Sequence, residues 1–454
     1  MPIILSHLNR YLRPARTYYY DATAGNNANA GTSEGAPLQT IAELNARTLL
    51  PGDRVLFKRG ETWATTTYTV TNSGIPGRPI IYGAYGAGAL PIIRGPGGNA
   101  QAIKNLATSG KSYLHFHDLD IDGNSNANYA MHLGGHDNLV EGCTIRGALL
   151  YGLWLASTTS SFIYHTTVRG CSVTGNGQQG IYGGSGGAGQ NTWHDCLIEN
   201  NTVYSNGTNS GAHHGIYCSD GYGNRIRRNT CYSNAAGGIK VNDQSGTSLG
   251  GTIVEGNYCY SNDAGIVLTA YATTVRNNLL PVNTSTGIHV LGTCDSSLVL
   301  HNTMVNSGYA GIRFLDGATA ITGMTIKNNL IHQDLAVVGE GKMPVRLAGD
   351  GTLLAAQNTW DNNIYCYTGA ASGYVFNCQA VANKTLAGWQ AFDGSPDANS
   401  LTDEPVFVTE FTDLHIQTTS PAKGAGDATV GVLTDYDGVV RGVAVDIGCF
   451  EYVA

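Results

Sequence analysis

The chain has 454 residues, 42% of them hydrophobic and only 13% charged, and a net charge of −8. That balance supplies a large core and excludes a disordered chain, while the negative sign excludes nucleic acid held by a global basic field. No stretch is long and apolar enough for a membrane-spanning helix, so neither a membrane nor a nucleic acid is an expected partner.

Taken in chain order, the start MPIILSHLNRYLRPAR has one short apolar stretch, Ile3 to Leu5, and no small-residue cleavage site, so it does not read as a secretory signal. Residues 1–95 are richer in Pro, Arg and aromatics (PGDRVLFKRGETW, GIPGRPIIYGAYG) and read as a lead-in segment that caps a repeat array. The run HDLDIDGN has Asp118, Asp120, Asp122 and Gly123 at calcium-loop spacing. Its twelfth position is Tyr129 rather than Glu, and Leu119 and Ile121 alternate as in a strand, so an EF-hand is rejected.

Residues 96–330 carry the repeat. A Gly-Ile-like marker recurs at Gly152, Gly180, Gly215, Gly238, Gly265, Gly287 and Gly311. A second marker, Asn followed two residues later by an apolar side chain, recurs at Asn201, Asn229, Asn257, Asn278 and Asn302. Two markers drifting together at one coil length predict a solenoid. The LxxLxLxxN pattern of leucine-rich repeats is missing, and each coil reads as short alternating strands joined by Asn or Gly turns. The expected fold is all-β, a right-handed parallel β-helix. Residues 331–454, where the Gly-Ile marker stops, should hold the last coils and an irregular C-terminal β cap.

Side chains alternate along a strand, so Ile181, Ile216, Ile239, Ile266, Ile288 and Ile312 should stack inside, and the Asn series should form a hydrogen-bonded ladder in a turn. Cys231 and Cys259 take the place that Val203 fills in NTVYSN, which makes them interior thiols rather than disulfide partners. The residue after each inward position points out, giving the row Trp154, Tyr182, Tyr217, Lys240, Val267, His289, Arg313. At ~4.8 Å per strand it would line a groove roughly 29 Å long. Aromatic faces stack on sugar C–H faces and cations hold carboxylates or sulfates, so Trp154, Tyr182, His289 and Arg313 are candidate binding residues for an acidic polysaccharide.

The segments GGSGGAGQ and TNSGAHH lengthen the coil before Gly215. GGSGGAGQ lacks the Lys-Ser/Thr ending of a phosphate loop and is expected to form a groove wall, while TNSGAHH puts His213 and His214 beside Tyr217. Lys240 follows one coil on. β-Elimination of a uronan needs a neutralised carboxylate, a base for the C5 proton and an acid for O4, and Lys, His and Tyr can move those protons. Lys240, His213, His214 and Tyr217 are therefore the candidate catalytic residues. Asp220 and Asp243 occupy the same slot of adjacent coils, roughly 5 Å apart, and could hold Ca²⁺ or act as a retaining hydrolase pair.

The run TYYYDATAGNNANAGTS…PLQTIAELN…PGDRVLFKRGETW, with SPAKGAGD, DYDGVVRG and DIGCFEY near the end, resembles right-handed β-helix proteins of the pectate-lyase-like superfamily. The resemblance covers nearly the whole chain. It implies action on polysaccharides by lyases, hydrolases, epimerases, sugar-binding proteins or phage tailspikes. In its lyases a Lys or Arg base, frequently with Ca²⁺, sits on this kind of sheet, which applies to Lys240 by position. The leading expectation is a polysaccharide lyase. The alternatives are a hydrolase using Asp220 and Asp243, a C5-epimerase, and a glycan-binding module. An extracellular setting, secreted or virion-borne, is expected, with a monomer or, for a tailspike, a homotrimer.

Overall fold

One coil is built from three short strands and two tight turns, as Ile253–Glu255, Tyr258–Tyr260 and Ala264–Thr269 illustrate. In each strand the inward side chains are fully buried: Val254, Cys259, Ile266 and Leu268 have no exposed surface. The turn between the first two strands needs a left-handed backbone just ahead of the ladder Asn, met by Gly256 at φ 62°, Asn277 at 52° and Asn328 at 60°. The Gly of the Gly-Ile marker has a different cause. A Cβ on Gly265 would lie 2.7 Å from the carbonyl oxygen of Gly287, and one on Gly287 equally close to that of Gly311. Stacked coils approach too tightly there for any side chain.

The computed structural model describes residues 13–105, 110–156, 162–184, 193–243, 249–292, 294–314, 321–334, 336, 342–347, 352–369, 373–378, 382–392, 396–409 and 412–453. Most of GGSGGAGQ lies outside them. The coils form three parallel sheets, here called first, second and third in the order each coil visits them, and the chain divides into two compact units, Met1–Thr208 and Asn209–Ala454.

In the first unit the parallel strands begin at Thr17–Tyr20, which pairs with Arg54–Lys58. Coils are thus already present inside the segment 1–95 that the sequence marks as a lead-in. A helix, Ile41–Ala46, is capped by the Thr40 side chain and buries Ile41 and Leu44. The would-be calcium loop is a second-sheet strand, Asp120–Asp122, with Asp120 paired to Arg146 and Asp122 to Arg94.

In the second unit Ile239, Ile266, Ile288 and Ile312 stack in register along the third sheet. Cys231 and Cys259 are register partners and buried thiols. The expected Asn ladder runs Asn229, Asn257, Asn278, Asn302, Asn329, Asn363, each amide donating to the next side-chain oxygen at 2.9–3.1 Å. A second ladder, Asn234–Asn262–Asn283, fills the next turn at 3.0 and 3.2 Å. The last coil is closed by the short helix Leu386–Gln390, whose buried Trp389 stacks on Phe376 at 4.7 Å.

The C-terminal residues do more than cap an end. Ile447, Cys449 and Phe450 pack with Val305, Leu330 and Ile364, so the segment returns along the flank of several coils. Among the described residues no helix is long and apolar enough to cross a membrane.

Candidate active site

The outward row is set by strand alternation and by register. In the second unit Tyr217 pairs with Lys240, Lys240 with Val267, Val267 with His289, His289 with Arg313, and Arg313 with Arg346. The row extends one cation beyond the expected one, because Arg346 follows a coil whose marker is lost.

Lys240 is half-buried on the strand Gly237–Asn242. Its Nζ lies 5.2 Å from the centre of the Tyr217 ring. The ring favours the ammonium, but loss of water outweighs it and draws the Lys240 pKa down. His214 is buried behind this pair, edge-on to Tyr217 at 5.4 Å between ring centres. The backbone N–H of Gly237 donates to its Nδ1 at 2.9 Å, so the neutral ring carries its proton on Nε2. Burial, with Lys240 and His213 nearby, pulls the His214 pKa to about 3. Asn242, two residues after Lys240 and on the same face, donates from its amide to the Tyr217 hydroxyl oxygen at 3.1 Å. A phenol that receives such a bond is a better proton donor. Asn242 lies outside the set of sequence-derived candidates, although the same alternation that exposes Lys240 exposes it.

The remaining candidates separate. The His213 ring accepts the backbone N–H of Asn209 at 3.2 Å within its own turn. Asp220 adopts a left-handed backbone, φ 53°, and its buried carboxylate accepts the Ser219 hydroxyl at 3.0 Å. The Asp220 N–H donates to the Asn242 carbonyl, so Asp220 and Asp243 do follow one another at the strand ends. Calcium takes six to eight oxygens, and no group of three or more His, Cys, Asp or Glu suited to a metal occurs among the described residues. On their own these two carboxylates do not complete a calcium cage. His289 is neutral: burial first, then Arg313 and Lys240, lower its pKa to about 4.

In the first unit the outward row is Lys104, His132, Trp154, Tyr182. The Trp154 ring stacks on His132 at 4.6 Å and lies 4.5 Å from Tyr129, while Tyr151 packs on Tyr182 at 4.7 Å. Trp154 is partly exposed, whereas Tyr182 is only 7% exposed and mostly supports its neighbours. Lys104 and His132 fall in coils before the first Gly-Ile marker, which is why the repeat did not reveal them.

The sequence matches the family described as right handed beta helix region, over residues 105–280 and 165–331. With three parallel sheets in place, the chain belongs to the right-handed parallel β-helix proteins. No curated protein matches it by sequence. Among solved structures it is similar to the pectate lyase Pel9A, with 18% identity, 98% of each chain covered and a TM-score of 0.58. It is also similar to XylC, solved with xylose, with 11% identity, 96% of this chain and 98% of that one covered, and a TM-score of 0.63. A third, the GH136 lacto-N-biosidase of Eubacterium ramulus, has 17% identity and a TM-score of 0.52, with 76% of this chain and 65% of that one covered.

Proposed function

We propose that the protein is a polysaccharide lyase that cleaves an acidic, uronic-acid-containing polysaccharide by β-elimination on its third sheet. The observation that carries this reading is Lys240, a desolvated amine against Tyr217, with Asn242 and neutral His214 beside the same ring. Lys240 Nζ takes the C5 proton, the electron pair forms the C4–C5 double bond, and the C4–O4 bond breaks. Tyr217 gives its proton to the departing O4, the Asn242 amide faces the uronate carboxylate, and the buried His214 ring supports Tyr217 from behind. One similar structure is named a pectate lyase, which favours this class. An extracellular setting, secreted or virion-borne, goes with such a substrate.

The test is a panel of alginate, polygalacturonate, glycosaminoglycans and bacterial capsules, read at the ultraviolet absorbance of a 4,5-unsaturated sugar with and without chelator. One uronan should yield the chromophore. Lys240→Ala should lower kcat by at least about 10²-fold, the usual contribution of a positioned acid or base. Because the base must be neutral, activity should rise with pH through a Lys240 pKa below that of an ordinary lysine. Reducing ends without the chromophore would favour a hydrolase built on Asp220 and Asp243, and C5 inversion without cleavage an epimerase.

A further inference from the structure

A cleft in the first unit lies on a different sheet from that chemistry. It holds about 370 Å³ on the outer face of the first sheet, between the strands Leu114–His117, Leu139–Glu141 and Thr167–Arg169 and a turn at 75–78. That volume is at the low end for ligand pockets, which run from about 300 to 1,000 Å³. One wall is apolar and fixed. Ile75 and Arg78 exchange backbone hydrogen bonds at 3.2 and 2.9 Å, which holds Pro76 and Gly77 in a tight turn, and Pro76, Pro79 and Leu139 line the cleft. The other wall carries Tyr113, Asp137 and Arg169. From coil to coil the His136 and Tyr164 rings stack at 4.5 Å, and those of Tyr164 and His194 at 5.4 Å. Tyr113, at the end of this row, is turned 85° to His136 and stands out of the stack. Its hydroxyl donates to Asp137, whose carboxylate also accepts the His136 Nδ1–H at 2.7 Å and has the His165 ring 3.5 Å away. Arg169 is paired with Glu141 at 2.7 Å.

We propose that Tyr113, Asp137 and Arg169 form a second glycan site, on the first sheet, that binds a neutral pyranose sugar. An upright aromatic ring, a proline wall and a carboxylate fixed by several donors match a pyranose, which has flat C–H faces and a rim of hydroxyls. Asp137 accepts from one hydroxyl, and the Arg169 guanidinium donates to another. Charge sets the kind of sugar. The Arg169 charge is matched by Glu141, and burial, then His117, draws the His115 pKa down, so that ring adds no positive charge. A uronate or sulfate in the cleft would meet Asp137 without a spare cation to offset it. The ligand is a free neutral oligosaccharide or a neutral unit within a longer glycan. The site is independent of Lys240, which stands on the third sheet.

The experiment titrates cellobiose, mannobiose, galactobiose and xylobiose, with digalacturonate and the glucosamine dimer, into the unsubstituted protein and follows each by saturation-transfer NMR. At least one neutral disaccharide should bind saturably, and digalacturonate should bind about tenfold more weakly than galactobiose. Asp137→Asn should raise Kd about tenfold, the loss of a hydrogen bond to a charged group, and Asn tolerates the left-handed backbone, φ 53°, at this position. Thr167→Tyr puts a ring into the cleft from an outward strand position and should abolish binding, with a melting temperature that shows the variant folded. Competition by galactomannan would mean that the site takes units within a chain, and binding of disaccharides alone that it takes free ends. No saturable neutral sugar, a uronate as tight as its neutral counterpart, a tighter glucosamine dimer, or an unchanged Kd in folded Thr167→Tyr overturns the site. Binding lost in Trp154→Ala but kept in Thr167→Tyr places the sugar on the third sheet and overturns it equally.

Discussion

His289 and Lys240 stand two rungs apart on one sheet face, and both lose enough water that the neutral form gains. For the histidines the consequence extends to folding. His214 is held at about 3 and His289 at about 4, each chiefly by burial, against an ordinary value of 6.5. The unfolded chain binds these protons first, so their contribution to stability is complete above about pH 6.5 and is lost as pH falls toward 4 and 3. Melting temperature should therefore fall as pH drops from 6.5 to 4, before most carboxylates titrate, and His289→Gln should flatten that slope. A profile level across this window would contradict neutral, buried rings. At this scale alternation within one strand made Lys240, His289 and Arg313 readable. Tyr113, Asp137 and Arg169 were not, because their convergence on one cleft depends on a turn at 75–78 that precedes every repeat marker.

Between coils, stability rests on the amide ladders as well as on the aliphatic stacks. Asn278 is fully buried; its Oδ1 accepts both the backbone N–H and the amide of Asn257, and its own amide donates to Val254 and Asn302. Asn278→Ala strands those groups in a dry turn and should cost roughly 3 kcal/mol, since each buried group left unsatisfied costs about 1–3 kcal/mol. Urea denaturation would show it as a lower midpoint with an unchanged slope, and a loss below about 0.5 kcal/mol would mean that water replaces the ladder. The first ladder was visible because its Asn spacing tracks the Gly-Ile marker. The second is not legible although NTCYSN and NYCYSN carry both Asn residues, since a polar residue beside Ser reads equally well as an exposed turn.

Across the second unit the C-terminal segment ties distant coils together. Arg441 is buried in an ion pair with Glu451, and its guanidinium donates to Asn277 Oδ1 at 3.0 Å and to the Gly448 carbonyl at 2.9 Å. The Cys449 N–H donates to the Thr303 hydroxyl at 2.9 Å, and Lys327 pairs with Asp427 at 2.8 Å. Arg441→Leu leaves a buried carboxylate without its cation and should cost about 3–5 kcal/mol. The loss should be partly recovered by adding Glu451→Gln, and thermal melting of the two variants decides the matter. If Arg441→Leu melts with the parent, the segment is not a clamp. DYDGVVRGVAVDIGCFEY announced a cap but not where it would lie, because its partners Asn277 and Thr303 are more than a hundred residues earlier.

What the sequence determined by itself is what recurs in step with the Gly-Ile marker: the parallel β-helix, the inward Ile and Cys stacks, the first Asn ladder and the outward positions of Lys240, His289 and Arg313. Each follows from a local rule, two-residue alternation or one coil length, that a linear reading can count. Only the tertiary structure decided what surrounds those positions. It set the desolvation of Lys240 above Tyr217, the turn of the His213 ring toward Asn209, the burial of Asp220 and the meeting of Tyr113, Asp137 and Arg169 in one cleft. Depth of burial and the meeting of non-repeating segments depend on how coils stack and how loops cross them, and no local periodicity encodes either.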